Sequence, residues 1–516
     1  MKKSPKNPFL LKPQRYNIGV SLEIDSKGGF LSMDPTVKRF NTTPLEYLSQ
    51  EQMRDIHSAA LEILEECGTV IHHEKAVELL HKAGAYVKDD RQVFIPGGLI
   101  EWAIGRAPSR VTVYDRNGTP FMFLEGRKVY YGTGSDCPNL LDSSSGERRE
   151  FLSRDVADAV RLVDALPNID FTMSMGLAPD FPGELQYQQK YAIMIRNSTK
   201  PQVITAADTS CLNDIVDIAA AVTGGRAELG RKPIFVLYDE PTSPLVHIKE
   251  AMEKLMFMAE NNLPTNYSPG IMAGGTSPVT MAGAIAQANA EILAGLVIHQ
   301  LKKPGAPFIF GAGMSPMDMQ SMQPTYSAPE AMMTQAGLCQ IGRCLYDLPT
   351  WGFGGCSASK LADEQAVTEA AAYIMMSGWM GTNLVHDVGY LEFGLTYSYD
   401  LLVMCDEFIG QVRRMMEGIR VDREYLAVDT IKRVGPGGHF LQDEHTLNHF
   451  RENWQPALTD RKTYETWKME GAMSMGQRAK EKVRHILDNC RPQPLQAEVD
   501  AKIDKILGRI KGGGNE

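Results

Sequence analysis

None of the eight cysteines forms a Cys-x-x-Cys pair, which removes the zinc-ribbon and thioredoxin-type readings that paired thiols would support. They are scattered from Cys67 to Cys490, as free thiols are in a reducing, cytoplasmic setting. Basic charge is also scarce. Fifty-three Lys and Arg against 63 Asp and Glu give a net charge of -10, so no basic face, and no nucleic-acid partner, is expected. The most apolar long stretch, Met281 to Leu301, carries Gln287, Asn289, Glu291 and His299, so no membrane span is expected. Lys2, Lys3, Lys6 and Lys12 make the N-terminus basic without the apolar core of a signal peptide. GTGSDC at Gly132 lacks the third glycine of a dinucleotide fingerprint, and GFGGCSASK at Gly352 lacks the Gly-Lys-Ser/Thr ending of a phosphate loop. Both read as tight turns or as loops that let backbone approach a ligand.

What the chain does have is a repeat. Short apolar runs begin at Lys128, Asp170, Pro201, Pro233, Pro264, Pro307, Leu348 and Asn383, each followed by a helical pattern. Each interval accommodates one strand, one crossover helix and two loops. Eight such units predict an α/β fold with a closed, TIM-like (β/α)8 barrel over residues 128–420. In HIKEAMEKLMFMA, Ile248, Met252, Leu255 and Met256 share one stripe, opposite Lys249, Glu250 and Glu253. A flexible arm (1–40) and an N-terminal α+β addition (41–127) are expected before the barrel, and a C-terminal cap with a helical tail (421–516) after it. The terminal GGGNE should be loosely ordered.

A barrel keeps its chemistry at the C-terminal ends of its strands. The residues predicted there are Tyr131 and Asp136; Tyr238, Asp239 and Glu240; Tyr267; Trp351 and Phe353; and His386, Asp387, Tyr390 and Glu392. Any one aromatic more often packs than binds. Together they suit a quaternary ammonium, which takes aromatic faces for cation–π contact and carboxylates for charge. His386-Asp387 is the sharpest pair, because His386 is the only histidine on a predicted barrel strand near its C-terminal end. Cys356 lacks an identifiable His and Asn partner and reads as a packing residue. His445 and His449 have the spacing of helical zinc ligands, but Thr446 stands where a metalloprotease has Glu and no cysteine completes a site, so no metal is expected.

GGCSASKLADEQA, NLVHDVGYLEFGLTYS and VGPGGHFLQDEHTLNHFRENWQP resemble the trimethylamine methyltransferase (MttB) superfamily, from about Leu45 to about Trp467. The resemblance implies methyl transfer from an amine to the Co(I) corrinoid of a separate partner protein. Cobalamin would then come with that corrinoid protein, this chain binding no cofactor itself, and the chain would form a homo-oligomer. The trimethylamine enzymes of the superfamily carry pyrrolysine, whereas this sequence has only the twenty standard residues. A neutral tertiary amine would have to expel an amide anion, but a quaternary ammonium leaves as a neutral amine and needs alignment alone. The expected substrate is therefore glycine betaine or a related betaine (proline betaine, carnitine, γ-butyrobetaine), its carboxylate met by backbone N–H groups, Lys360 or Arg343. His386, Asp387 and Glu392 are the catalytic candidates and the remaining strand-end residues the substrate-binding ones. The competing reading is a barrel lyase or hydrolase using His386, Asp387 and Glu392 as acid and base. A third is a non-catalytic scaffold, which would have no need of a furnished barrel mouth.

Overall fold

The computed structural model describes residues 44–181 and 183–511, all within one compact unit. The expected arm (1–40) and the GGGNE tail lie outside the described residues.

Seven strands form one parallel sheet: β1 (Tyr130–Tyr131), β2 (Gln202–Ile204), β3 (Phe235–Asp239), β4 (Thr265–Tyr267), β5 (Phe308–Gly311), β6 (Thr350–Phe353) and β7 (Leu384–His386), in the order β1-β7-β6-β5-β4-β3-β2. The predicted run at Asp170 is not a strand of this sheet. It touches both edges through isolated parallel bridges, Gly132 to Phe171 and Thr172 to Gln202. Met175 and Ala178, with φ of 60° and 52°, turn the backbone out of extended geometry just beyond.

Eight long helices follow these runs, one each: α1 (Ser153–Ala165), α2 (Gln186–Asn197), α3 (Thr209–Thr223), α4 (Lys249–Glu260), α5 (Met281–Lys302), α6 (Pro329–Cys344), α7 (Glu364–Met380) and α8 (Tyr399–Met416). Their ends follow from sequence. Asp208 and Asp363 accept from the amides of Cys211 and Ala366 at 2.8 and 3.0 Å, and Gly381 at φ 75° ends α7. In α4 the predicted stripe is buried at Met252, Leu255 and Met256, but Ile248 is exposed. Ile248 lies one residue before α4 begins, off its inner face. By length and composition α5 could cross a membrane, yet 83% of its most apolar window is buried. It packs against the N-terminal helices Gln50–Glu62 and Gly97–Ile104 as well as α4 and α6.

A strand buried on both faces points alternate side chains at the sheet interior and at the helices. Val236 and Tyr238 of β3 point inward with Trp351 of β6 and Leu384 of β7, whereas Phe235 and Leu237 join the outer, helix-facing core. The antiparallel hairpin Val111–Tyr114 and Pro120–Leu124 adds Val111, Val113, Met122 and Leu124 to that interior. Apolar packing thus fills the sheet interior away from the strand C-termini.

Asn383 joins the hairpin's exit to the sheet. Its buried amide donates to the carbonyls of Lys128 and Glu125 at 2.8 and 3.2 Å and accepts from the Thr350 amide at 2.8 Å. Asn383→Leu strands these groups without water, at about 1–3 kcal/mol each. A fall in unfolding free energy of at least about 3 kcal/mol is expected in urea denaturation, and a change below about 0.5 kcal/mol would contradict this role.

Candidate functional site

A cavity of about 380 Å³ opens at the C-terminal ends of the strands. Of the predicted site residues, Asp136, Tyr238, Glu240, Phe353, His386, Asp387 and Tyr390 line it. Pairing of Phe353 with His386 between β6 and β7 sets two inward-facing rings side by side. Their centroids are 4.8 Å apart and nearly perpendicular. Beneath them Trp351, fully buried and not itself in the wall, stacks on His386 at 4.4 Å and contacts Tyr238 at 5.6 Å. Trp351 is the floor.

Tyr131, Asp239, Tyr267 and Glu392 point elsewhere. Tyr131 follows inward-facing Tyr130 and so faces out, its hydroxyl donating to the Ile374 carbonyl of α7 at 3.0 Å. Tyr267 reaches His247, 2.7 Å from its hydroxyl, and packs on Gly295 of α5. Asp239, one residue past inward-facing Tyr238, sits 3.1 Å from Lys254 of α4; burial raises its carboxyl to about 6, with Lys254 opposing. Glu392 accepts from Arg148 at 2.8 Å and Thr396 at 2.6 Å outside the cavity. Strand-end position alone selected these four, and side-chain direction excludes them from the wall.

Sequence reasoning missed Tyr326, Met173, Met272 and Ser315, which also line the cavity. Tyr326 comes from the long connection between β5 and α6 and stacks on Phe353 at 5.5 Å. Gly270–Ala273 and Gly313–Pro316 prolong β4 and β5 as a second parallel pair and supply Met272 and Ser315. Neither GIMA nor GMSP alternates apolar and polar residues, so no periodic signal marks them.

The wall is acidic. Among the described residues lining it are three carboxylates, Asp136, Glu240 and Asp387, one imidazole, and no Lys or Arg. Tyr238 donates to Glu240 at 2.9 Å. Glu240 is exposed at the cavity, yet desolvation by the groups packed around its carboxylate raises it above the ordinary range, and Asp136 adds to the rise. Asp136 lies 3.3 Å from the buried ammonium of Lys190. His386 Nδ1 is 2.6 Å from Asp387 Oδ1, off the line of a ring N–H bond, and its Nε2 is buried without a hydrogen-bond partner. Asp136 and Asp387 hold φ of 66° and 71°, left-handed values that non-glycine residues rarely adopt and that recur at functional sites.

The other candidates lie apart from this wall. Cys356 is fully buried, and burial pushes its thiol well up, against thiolate formation. Lys360 stands over the Phe393 ring, and Arg343 is on α6. His445 and His449 stack with centroids 4.4 Å apart, His449 meeting Glu452 at 2.7 Å. Among the described residues no group of three His, Cys, Asp or Glu side chains is arranged to hold a metal ion. A larger cavity, about 650 Å³, lies between Asp142, Arg149 and the helix Met475–Asn489 and shares no lining residue with the strand-end site.

Parallel strands with helical crossovers and a furnished cavity at the strand C-termini place this chain among α/β proteins with a barrel-type site. The chain belongs to the trimethylamine methyltransferase (MTTB) family, whose profile matches residues 25–513. It is therefore a methyltransferase. It is 33% identical over 472 residues to trimethylamine methyltransferase MttB of Desulfitobacterium hafniense (strain DSM 10664 / DCB-2), covering 91% of this chain and 95% of that one. Glycine betaine methyltransferase of Desulfitobacterium hafniense (strain Y51) is 31% identical over 465 residues, with 90% and 96% covered. Among solved structures, the Methanosarcina barkeri monomethylamine methyltransferase (MtmB) aligns with a TM-score of 0.48 at 14% identity, over 92% of this chain and 89% of that one.

Gly134 lets the first loop close over this site. A Cβ there would lie 2.2 Å from Asp387 Oδ1 and 2.3 Å from the Tyr390 hydroxyl. Gly134→Ala is expected to displace both and to lower the unfolding free energy by about 1–3 kcal/mol. Unchanged thermal unfolding with an unshifted Asp387 in a crystal structure would contradict this packing.

Proposed function

We propose that this chain transfers a methyl group from a quaternary amine to the Co(I) corrinoid of a partner protein, without pyrrolysine. One observation carries the reading: a cavity walled by Tyr238, Phe353, Tyr326 and Tyr390 over carboxylates. Each aromatic face offers a cation about 0.5–2 kcal/mol. The relative named glycine betaine methyltransferase makes glycine betaine, and betaines related to it, the first substrates to try.

In this reading the rings and Glu240 hold the ammonium with one N–CH3 bond directed at the open mouth. The bond breaks with its electron pair going to nitrogen, which leaves as a neutral tertiary amine. The partner's cobalamin supplies the electron pair for the new bond to carbon, Co(I) passing to Co(III). No proton is transferred, so the chain's task is alignment and exclusion of water. His386, held between Trp351 and Asp387, fixes the cage geometry.

Apolar side chains on the loops beyond the strand ends support partner docking at the mouth. Val279, Met319, Met322, Leu361 and Leu395 are 42% to 64% exposed there. We take the barrel to be closed by the Asp170 run, which its bridges to both sheet edges support. We also take the protein to act in the cytoplasm, as its scattered free thiols suggest, and as a homo-oligomer, as the family resemblance suggests. The acid–base alternative wants Glu392 in the cavity, but that carboxylate is tied to Arg148 and Thr396.

The test is to mix the chain with a reduced corrinoid protein and a panel of quaternary amines and trimethylamine, following methyl-Co(III) absorbance. Methylation from a quaternary amine and not from trimethylamine is expected. Silence across the panel with active corrinoid, or transfer from trimethylamine alone, would overturn the reading.

A further inference from the structure

We infer that the preferred substrate is a quaternary ammonium whose remainder is uncharged, so that the molecule is a net cation rather than a zwitterionic betaine, and that Asp136 enforces this choice. The inference rests on the quaternary-amine reading and narrows it.

A betaine carries a carboxylate a few bonds from its ammonium, so a site for it must present a cation or a set of free donors to that carboxylate. The wall of this cavity presents the reverse. Asp136, Glu240 and Asp387 all face it, and among the described residues no Lys or Arg lines it. One of the three, Asp136, has a cationic neighbour, Lys190 at 3.3 Å, while Asp387 stands beside the His386 imidazole at 2.6 Å. Glu240 has only the neutral Tyr238 hydroxyl as a hydrogen-bond donor among the contacts at the wall. Negative charge is thus left at the wall for an ammonium. A second negative charge brought by the substrate would have nothing to neutralise it and would face like charge across a small space.

Lys254 also acts on Glu240 but is held by Asp239 at 3.1 Å, so Lys190 is the cation that could change this balance. Its side chain is only 3% exposed, its ammonium lies 4.7 Å from the Tyr187 ring centre, and it is held against Asp136 behind the wall. Asp136 is thus a double barrier: it repels a substrate carboxylate and occupies the lysine that would receive one. Both ring nitrogens of His386 are buried without a hydrogen-bond partner, so neither is a cation's match for a carboxylate by geometry.

Titration calorimetry with the purified full-length chain tests this without a methyl acceptor, using choline, tetramethylammonium and glycine betaine as probes. Choline and tetramethylammonium are expected to bind at least tenfold more tightly than glycine betaine. Asp136→Asn, which removes the charge and frees Lys190, is expected to tighten glycine betaine at least tenfold relative to choline. Glycine betaine binding as tightly as choline or more so in the unaltered chain would overturn this inference and leave the quaternary-amine reading intact. No binding by any of the three would overturn that reading itself. Should Asp136→Asn not fold, the comparison in the unaltered chain decides; should it fold and leave the ratio unchanged, Asp136 is not the determinant.

Discussion

Everything at this site depends on the two-residue period of strands buried on both faces. A side chain at a strand end either enters the sheet interior or packs against a helix, and one step along the chain exchanges the two fates. Tyr238 is in the cavity wall and Asp239 is on Lys254. His386 and Leu384 share the inner face, while Val385 between them belongs to the helix-facing core. The same alternation lines up Trp351, Phe353 and Tyr238 around His386, so that four rings from three strands meet at one point. The aromatic character of the site is therefore a property of register as much as of composition.

Electrostatics acts on top of that geometry. Asp239, buried, and Asp170, half-buried, are both raised by desolvation, with Lys254 and Arg413 set against them. Both stand among the helices that surround the sheet, where an ion pair fixes packing. The cavity carboxylates differ in having water or an open volume beside them. That difference separates acids that hold the fold from acids that are available to a ligand.

Much of this was legible from the residues. The eight-unit repeat placed the eight helices and seven of the strands, because long amphipathic patterns and short apolar runs are strong signals. The Asp170 run failed as a strand because left-handed backbone at Met175 and Ala178 is invisible in an apolar, Met-rich sequence. Strand-end position found His386, Asp387, Phe353, Tyr238, Glu240, Asp136 and Tyr390. It also took in Tyr131, Asp239 and Tyr267, since a two- or three-residue strand gives too little pattern to fix which face is inner. Tyr326 escaped because it stands in a connection with no period at all, and it reaches the site only through the stacking on Phe353.

The central claim is that these rings form a seat for a quaternary cation. A crystal structure of the chain soaked in tetramethylarsonium, with arsenic in place of nitrogen, tests it through anomalous scattering. The account predicts a single strong peak within about 6 Å of the Tyr238, Phe353 and Tyr326 ring centres. An empty cavity at saturating ligand, or a peak elsewhere on the molecule alone, would contradict it.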